Sequence, residues 1–125
     1  MSDNFPLVAI IDDDIAARRA LARLLVAHRY RVTQFASAES YLQAGDGKEV
    51  VCALIDINLG EGKSGLDLGR EIKASARPVP IIFMSGCITA PARVQAWEIG
   101  CIDLFEKPCQ SSELLAAIHA ARFAG

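Results

Sequence analysis

Apolar residues along the chain form five short runs of strand length, and each run is followed by a segment in which apolar residues recur at helical spacing. The runs cover residues 7–11, 31–35, 50–55, 79–84 and 102–105. The first, third and fourth are apolar at nearly every position, which is typical of central strands covered by helices on both faces of a parallel sheet. The pattern therefore predicts an α/β domain with five βα units and a doubly wound sheet.

Three of the intervening segments carry clear apolar stripes, and polar residues mark where the helices begin. Ser37 precedes a helix that starts near Ala38, Ser64 forms a capping box with Asp67, and Ser111 or Ser112 opens the last helix. The stripes consist of Ala17, Leu21, Leu24 and Leu25, then Leu66, Leu68 and Ile72, and finally Leu114, Leu115, Ile118 and Ala121.

Length and composition restrict the possible classes of protein. The 125 residues are predicted to form one domain over 1–125, and 52% hydrophobic residues suffice for a buried core. A net charge of −2 lacks the basic excess of a dedicated nucleic-acid binder. Because no apolar run reaches the roughly 18 residues of a membrane span and no signal peptide is present, we expect a cytoplasmic protein that does not contact membranes. The four cysteines lack zinc-ligand spacing and are predicted to be free thiols.

Polar residues follow four of the predicted strands. The carboxyl ends of parallel strands share one edge of the sheet, where α/β proteins bind their ligands. The first strand is followed by Asp12, Asp13 and Asp14, the third by Asp56, the fourth by Ser85 and Gly86, and the fifth by Lys107.

The aspartates at this edge predict a metal site. If the first and third strands are neighbours, Asp56 lies beside Asp12 and Asp13, and two carboxylates about 5 Å apart repel by ~3 kcal/mol at an effective dielectric of 20. A hard divalent ion such as Mg²⁺ would offset that repulsion. Asp14 is better explained as the cap of the following helix.

The remaining residues supply groups that phosphoryl transfer requires. Lys107 offers a compact positive charge, Ser85 a hydroxyl, and Gly86 a backbone N–H that a ligand can approach closely. Asp56 stands alone at its strand end, which makes it the predicted nucleophile of an aspartyl-phosphate site.

Four sequence motifs in order resemble the receiver domain of two-component response regulators, and the resemblance covers essentially the whole chain. The motifs are VAIIDDD ending at Asp14, ALID ending at Asp56, IIFMSG ending at Gly86, and FEKP ending at Pro108. The resemblance implies a flavodoxin-like (βα)5 fold with strand order 2-1-3-4-5. It also implies a phosphoacceptor, not an enzyme in the ordinary sense, that assists its own phosphorylation and dephosphorylation.

The resemblance also implies roles for single residues and partners. Asp56 would accept phosphate from a sensor histidine kinase, and Asp12, Asp13 and Asp56 would hold Mg²⁺ with the backbone carbonyl of Asn58. Ser85 would be the switch hydroxyl, Gly86 a backbone contact to the phosphoryl group, and Lys107 its charge partner. The Lys107–Pro108 bond is expected to be cis. The surface from the fourth helix through the fifth strand to the fifth helix would bind an effector domain or a second receiver.

Departures from the family pattern concern the loop after Asp56, the fifth strand and Cys109, which stands where an apolar aromatic residue is common. Gly60 stands where the family usually has proline, and the glycine usual eight residues after the acceptor appears one residue late, at Gly65, which predicts an insertion in this loop. Leu104 stands where many members have Tyr or Phe, and the neighbouring Phe105 is expected on the opposite face of the strand.

Three other functions are considered for this sequence. A receiver-like interaction module that is not phosphorylated would tolerate the altered loop. A haloacid-dehalogenase-like phosphatase would use Asp12 and Asp14 as nucleophile and acid. Nucleotide binding by the sequence from Gly60 to Gly65 is disfavoured, because Ile57 stands where a P-loop requires glycine.

Overall fold

The computed structural model describes residues 4–44 and 49–123 and contains an alternating α/β fold. Five strands form one parallel sheet in the order β2-β1-β3-β4-β5, which confirms the predicted fold class and strand order. The strands are β1 Leu7–Ile11, β2 Arg31–Phe35, β3 Val50–Asp56, β4 Ile81–Ser85 and β5 Asp103–Glu106. The helices are α1 Ile15–Ala27, α2 Ala38–Gln43, α3 Gly65–Ala74, α4 Ala90–Ile99 and α5 Ser111–Arg122.

Successive residues of each central strand point to opposite faces of the sheet, and each face has its own core. Val8 and Ile10 of β1 pack in one cluster with apolar residues of α1 and α5. Ala9 and Ile11 pack in the other cluster with residues of α2, α3 and α4. Leu104 belongs to this second cluster and Phe105 to the first, so the two residues do lie on opposite faces.

Helix caps follow the sequence signals with two exceptions. Ser37 and Ser40 form a reciprocal capping box at α2. At α3 the Ser64 hydroxyl accepts a hydrogen bond from the Asp67 N–H, but the Asp67 carboxylate pairs with Arg70, so the predicted capping box is only half formed. Helix α5 begins at Ser111, but its N-cap is Gln110, which makes no side-chain capping bond.

The fourth and fifth strands begin later than the sequence predicts. The predicted fourth strand starts at residue 79, whereas β4 starts at Ile81, because Pro80 has no N–H to donate to the ladder. The fifth strand is shifted by one residue, to Asp103–Glu106. All four cysteines are free thiols, as predicted. Among the helices described here, none is long and apolar enough to cross a membrane.

Candidate functional site

Three aspartates meet at the carboxyl edge of the sheet because β1 and β3 are adjacent. Ile11 is in register with Ile55, so Asp12 and Asp13 follow one strand where Asp56 ends its neighbour. One carboxylate oxygen from each of the three lies within 4.8 Å of the other two. Asp12 is buried, Asp56 is half-buried and Asp13 is exposed, so the cluster opens to solvent on the Asp13 side.

Lys107 brings a positive charge from β5 to this cluster. Its Nζ donates to Asp12 Oδ2 at 2.7 Å and to Asp56 Oδ2 at 3.0 Å. The Lys107 N–H also donates to the Ser85 carbonyl at 2.7 Å, which fixes the backbone next to β4. The Lys107–Pro108 peptide bond is cis, as expected.

Burial shifts the pKa of each of Asp56 and Lys107 in one direction, and the hydrogen bonds of these groups shift it in the other. Burial raises the pKa of the Asp56 carboxyl, although its hydrogen bonds from Lys107 and from the Asn58 N–H act to lower it. Burial also acts to lower the pKa of Lys107, but its hydrogen bonds to Asp12 and Asp56 prevail and raise it. Lys107 therefore remains a cation at neutral pH.

Asp14, the third aspartate of the DDD sequence, serves the helix and not the cluster. Its Oδ1 accepts hydrogen bonds from the N–H groups of Ala16 and Ala17, which are the first unsatisfied donors of α1. Its own N–H donates to Asp12 Oδ1 at 2.9 Å. A phosphatase that uses Asp12 and Asp14 as a pair would need Asp14 as an acid, and here its carboxylate caps the helix.

Ser85 is completely buried, and its hydroxyl is fully engaged. The Oγ donates to the Cys87 carbonyl at 3.0 Å and accepts from the Cys87 N–H and from Asn58 Nδ2, at 3.3 and 3.2 Å. The family resemblance implied a role for Asn58 only through its backbone carbonyl. No local signal could have predicted the side-chain bond, because the two residues are 27 positions apart.

Gly86 lies in open space directly after Ser85. A Cβ built at this position would have no heavy atom within 4 Å, and the residue is exposed. Its surroundings therefore leave room for a ligand beside the backbone.

The loop between β3 and α3 borders the cluster next to Asp13. Gly60 has a φ of +72°, and a Cβ there would lie 3.1 Å from Asp13 Oδ2. Gly65, displaced by one residue from its usual family position, packs against the backbone of Asp56 and Ile57, and its N–H donates to the Ile57 carbonyl at 2.9 Å.

Two contacts of Lys63 weigh against nucleotide binding by this loop. A P-loop keeps its backbone N–H groups available for phosphate. The N–H of Lys63 instead donates to Glu39 Oε2 at 2.9 Å, and its side chain forms an ion pair with Glu71. Ile57, in the position that would require glycine, is buried in the core.

Lys107→Met is expected to lower the free energy of unfolding by about 2 kcal/mol, because it leaves two carboxylates that are mostly buried without their cation. Urea unfolding in the presence of EDTA measures this effect. Lys73→Met is the control, since Lys73 forms no ion pair within residues 4–44 and 49–123, and we expect it to change stability by less than about 0.5 kcal/mol. Equal unfolding midpoints for Lys107→Met and wild type would show that the lysine does not offset the carboxylate charge.

The three carboxylates form a donor set suited to a hard divalent cation. Mg²⁺ is held in proteins by one or two carboxylates and keeps several waters, so it needs an oxygen cluster that is open to solvent. Asp12, Asp13 and Asp56 satisfy this condition, because their oxygens converge and Asp13 is exposed.

Comparison with known proteins relates this chain to response regulators. Residues 8–119 match the family model of the response regulator receiver domain. The response regulator protein TodT of Pseudomonas putida is 38% identical over 121 residues, which cover 97% of this chain and 53% of TodT. The transcriptional regulatory protein FixJ of Azorhizobium caulinodans is 36% identical over 121 residues, which cover 97% of this chain and 56% of FixJ. The chain thus spans about half the length of these relatives.

A solved structure of similar fold carries a modification at an aspartate. This response regulator protein from Burkholderia pseudomallei was solved with a phosphorylated aspartic acid, a calcium ion and citrate. It superimposes with a TM-score of 0.81 at 26% identity, and the alignment covers 90% of this chain and 65% of that chain.

Proposed function

The chain belongs to the family of response regulator receiver domains of two-component signal transduction, and we propose that its Asp56 accepts a phosphoryl group from a sensor histidine kinase. Receiver domains are phosphoacceptors and not classical enzymes. The observation that carries the proposal is the position of Lys107 Nζ, within hydrogen-bond distance of both Asp12 and Asp56, in a cluster of three carboxylates.

In the proposed reaction a carboxylate oxygen of Asp56 attacks the phosphorus of a phosphohistidine. The new bond joins the Asp56 oxygen to phosphorus, the nitrogen–phosphorus bond breaks, and the imidazole nitrogen keeps the electron pair and takes up a proton. Lys107 Nζ is 3.0 Å from the attacking carboxylate. It can therefore form an ion pair with the phosphoryl oxygens when the group is transferred to Asp56.

Receiver domains bind Mg²⁺ at an acidic pocket, and we propose that this chain does so with Asp12, Asp13, Asp56 and the backbone carbonyl of Asn58. The bound ion would supply neutralisation of phosphoryl charge. Asp12 accepts hydrogen bonds from Lys107 and from the Asp14 N–H, and these bonds orient its carboxylate at the cluster.

Ser85 is the proposed switch residue, and Gly86 is proposed to contact the phosphoryl group through its backbone. The Ser85 hydroxyl would give up its bond to the Cys87 carbonyl and donate to a phosphoryl oxygen, while the Gly86 N–H would contact the same group. Such a change would move the segment that leads into α4 and shift the populations of two conformations.

The surface of α4, β5 and α5 is the proposed output surface. Val94 and Trp97 lie one turn apart on α4 and are 57% and 49% exposed. Response regulators interact with sensor kinases and effector domains, and the relatives of this chain include a transcriptional regulatory protein. We propose that this surface contacts an effector domain or a second receiver.

Residues 1–125 are proposed to act as one domain. The proposed location of this domain is the cytoplasm.

Wild-type protein incubated with acetyl phosphate and Mg²⁺ is expected to gain the mass of one phosphoryl group, because the small donor replaces the phosphohistidine. With EDTA in place of Mg²⁺, the three carboxylates keep their mutual repulsion and the labelling is expected to fall to background. Intact-mass spectrometry measures both samples. If wild-type protein with Mg²⁺ gains no mass, the chain is a receiver that acts only by binding partners, and the phosphoacceptor proposal is wrong.

A further inference from the structure

The loop between β3 and α3 is attached to helix α2 through Glu39. Glu39 lies in the first turn of α2, and its Oε2 accepts a hydrogen bond from the Lys63 N–H at 2.9 Å. A Cβ built on Gly62 would lie 2.9 Å from the same oxygen, so the backbone of the loop packs directly against this carboxylate. The Lys63 N–H lowers the pKa of the Glu39 carboxyl, which keeps the acceptor ionised at neutral pH.

The same loop contacts the acidic cluster two residues earlier. Gly60 lies against the Asp13 carboxylate, with only 3.1 Å between Asp13 Oδ2 and the place of a Cβ. The short segment from Gly60 to Lys63 therefore lies between two carboxylates, one belonging to the proposed metal site and one to α2.

The glycines of this segment make its backbone costly to hold in one conformation. Gly60 and Gly62 both have positive φ, at +72° and +88°, and glycine loses more conformational freedom on ordering than any other residue. A loop of this composition needs an external contact to stay in one place. Within the described residues, the hydrogen bond from the Lys63 N–H to Glu39 is the one that joins this segment to α2.

We propose that Glu39 is a positioning residue for the acidic site: it holds the β3–α3 loop against Asp13 and thereby sets the affinity of the site for Mg²⁺. This inference depends on the proposed function of the cluster as a magnesium-dependent phosphoacceptor site. Glu39 touches neither the metal ligands nor the phosphoryl group, and it acts through the Gly60–Lys63 backbone.

The test compares Glu39→Ala and Glu39→Gln with Glu61→Ala in the full chain. Glu61 is an exposed acid of the same loop with no hydrogen bond or ion pair within the described residues, so its removal changes the charge by the same amount without releasing the loop. Nitrogen-15 NMR gives the exchange rate of the Lys63 amide proton and, by titration with MgCl₂, the dissociation constant for Mg²⁺.

Glu39→Ala is expected to speed exchange of the Lys63 amide and to weaken Mg²⁺ binding by about fivefold each, the effect of losing one typical hydrogen bond. Glu39→Gln keeps an oxygen acceptor and is expected to lie between Glu39→Ala and wild type. Glu61→Ala is expected to bind Mg²⁺ within about twofold of wild type, since charge at an exposed position is largely screened.

Two results would overturn the inference while leaving the proposed function intact. One is Mg²⁺ binding by Glu39→Ala equal to that of wild type. The other is equal weakening in Glu39→Ala and Glu61→Ala, which would assign the effect to net charge. If wild-type protein itself neither binds Mg²⁺ nor reacts with acetyl phosphate, the proposed function fails and this inference fails with it.

Discussion

Asp56→Asn is expected to abolish labelling by acetyl phosphate in the presence of Mg²⁺. The carboxamide carries no negative charge and is a poor nucleophile, so no aspartyl-phosphate bond forms at this position. The neighbouring carboxylates of Asp12 and Asp13 remain, but the proposed site assigns both to Mg²⁺ and neither to the transfer of the phosphoryl group. Intact-mass spectrometry should therefore show only the unmodified variant under conditions that modify wild type.

Asp14→Asn is the matched control for this experiment. It makes the same chemical change close to the cluster, and asparagine also caps a helix N-terminus well. Because the Asp14 side chain bonds, among the residues that the structure describes, to the N–H groups of Ala16 and Ala17 at the start of α1, this variant should be labelled like wild type. Labelling that survives Asp56→Asn and disappears in Asp12→Asn would move the nucleophile to the first strand and favour a phosphatase-like chemistry.

Gly65→Ala is expected to destabilise the fold by about 3 kcal/mol or more, at the upper end of the cost of overpacking a buried position. The added methyl group would overlap the carbonyl oxygen of Asp56 and would lie 2.8 Å from the Cα of Ile57. Both neighbours are backbone atoms of β3 and its end, so no side chain can move aside. Denaturant unfolding followed by circular dichroism measures the loss.

Gly86→Ala provides the comparison at the same edge of the sheet. The new methyl group would find no heavy atom within 4 Å, so stability should change by less than about 0.5 kcal/mol. If the two alanine variants unfold at the same denaturant concentration, the close approach of α3 to the end of β3 does not limit which residue is accepted at position 65.

The fold was largely predictable because its signals are local. Alternating strand and helix patterns predict the doubly wound sheet, and serines at positions 37 and 64 mark helix starts that the structure confirms. The juxtaposition of Asp12, Asp13 and Asp56 requires the parallel pairing of β1 with β3, which the family resemblance implied and the structure shows.

Contacts between distant side chains could not be predicted in this way. The bond from Asn58 to Ser85 and the bond from Lys63 to Glu39 join residues 27 and 24 positions apart. Each bond depends on how a loop packs against a neighbouring helix or strand, and the spacing of residues in the sequence does not predict this packing. The exposure of Trp97 also depends on packing, since α4 buries only a narrow face in which Ala96 is the fully buried residue.

The hydroxyl of Ser85 has a single hydrogen, and in this conformation that hydrogen already points to the Cys87 carbonyl. In the proposed activation this hydroxyl exchanges one acceptor, the Cys87 carbonyl, for another, a phosphoryl oxygen. The favourable free energy of the exchange is the difference between a neutral and a charge-assisted hydrogen bond, about 1 kcal/mol. A gain of this size multiplies the ratio of the two conformations by roughly fivefold, so the exchange of the Ser85 bond by itself could not turn a rarely populated signalling arrangement into the dominant one.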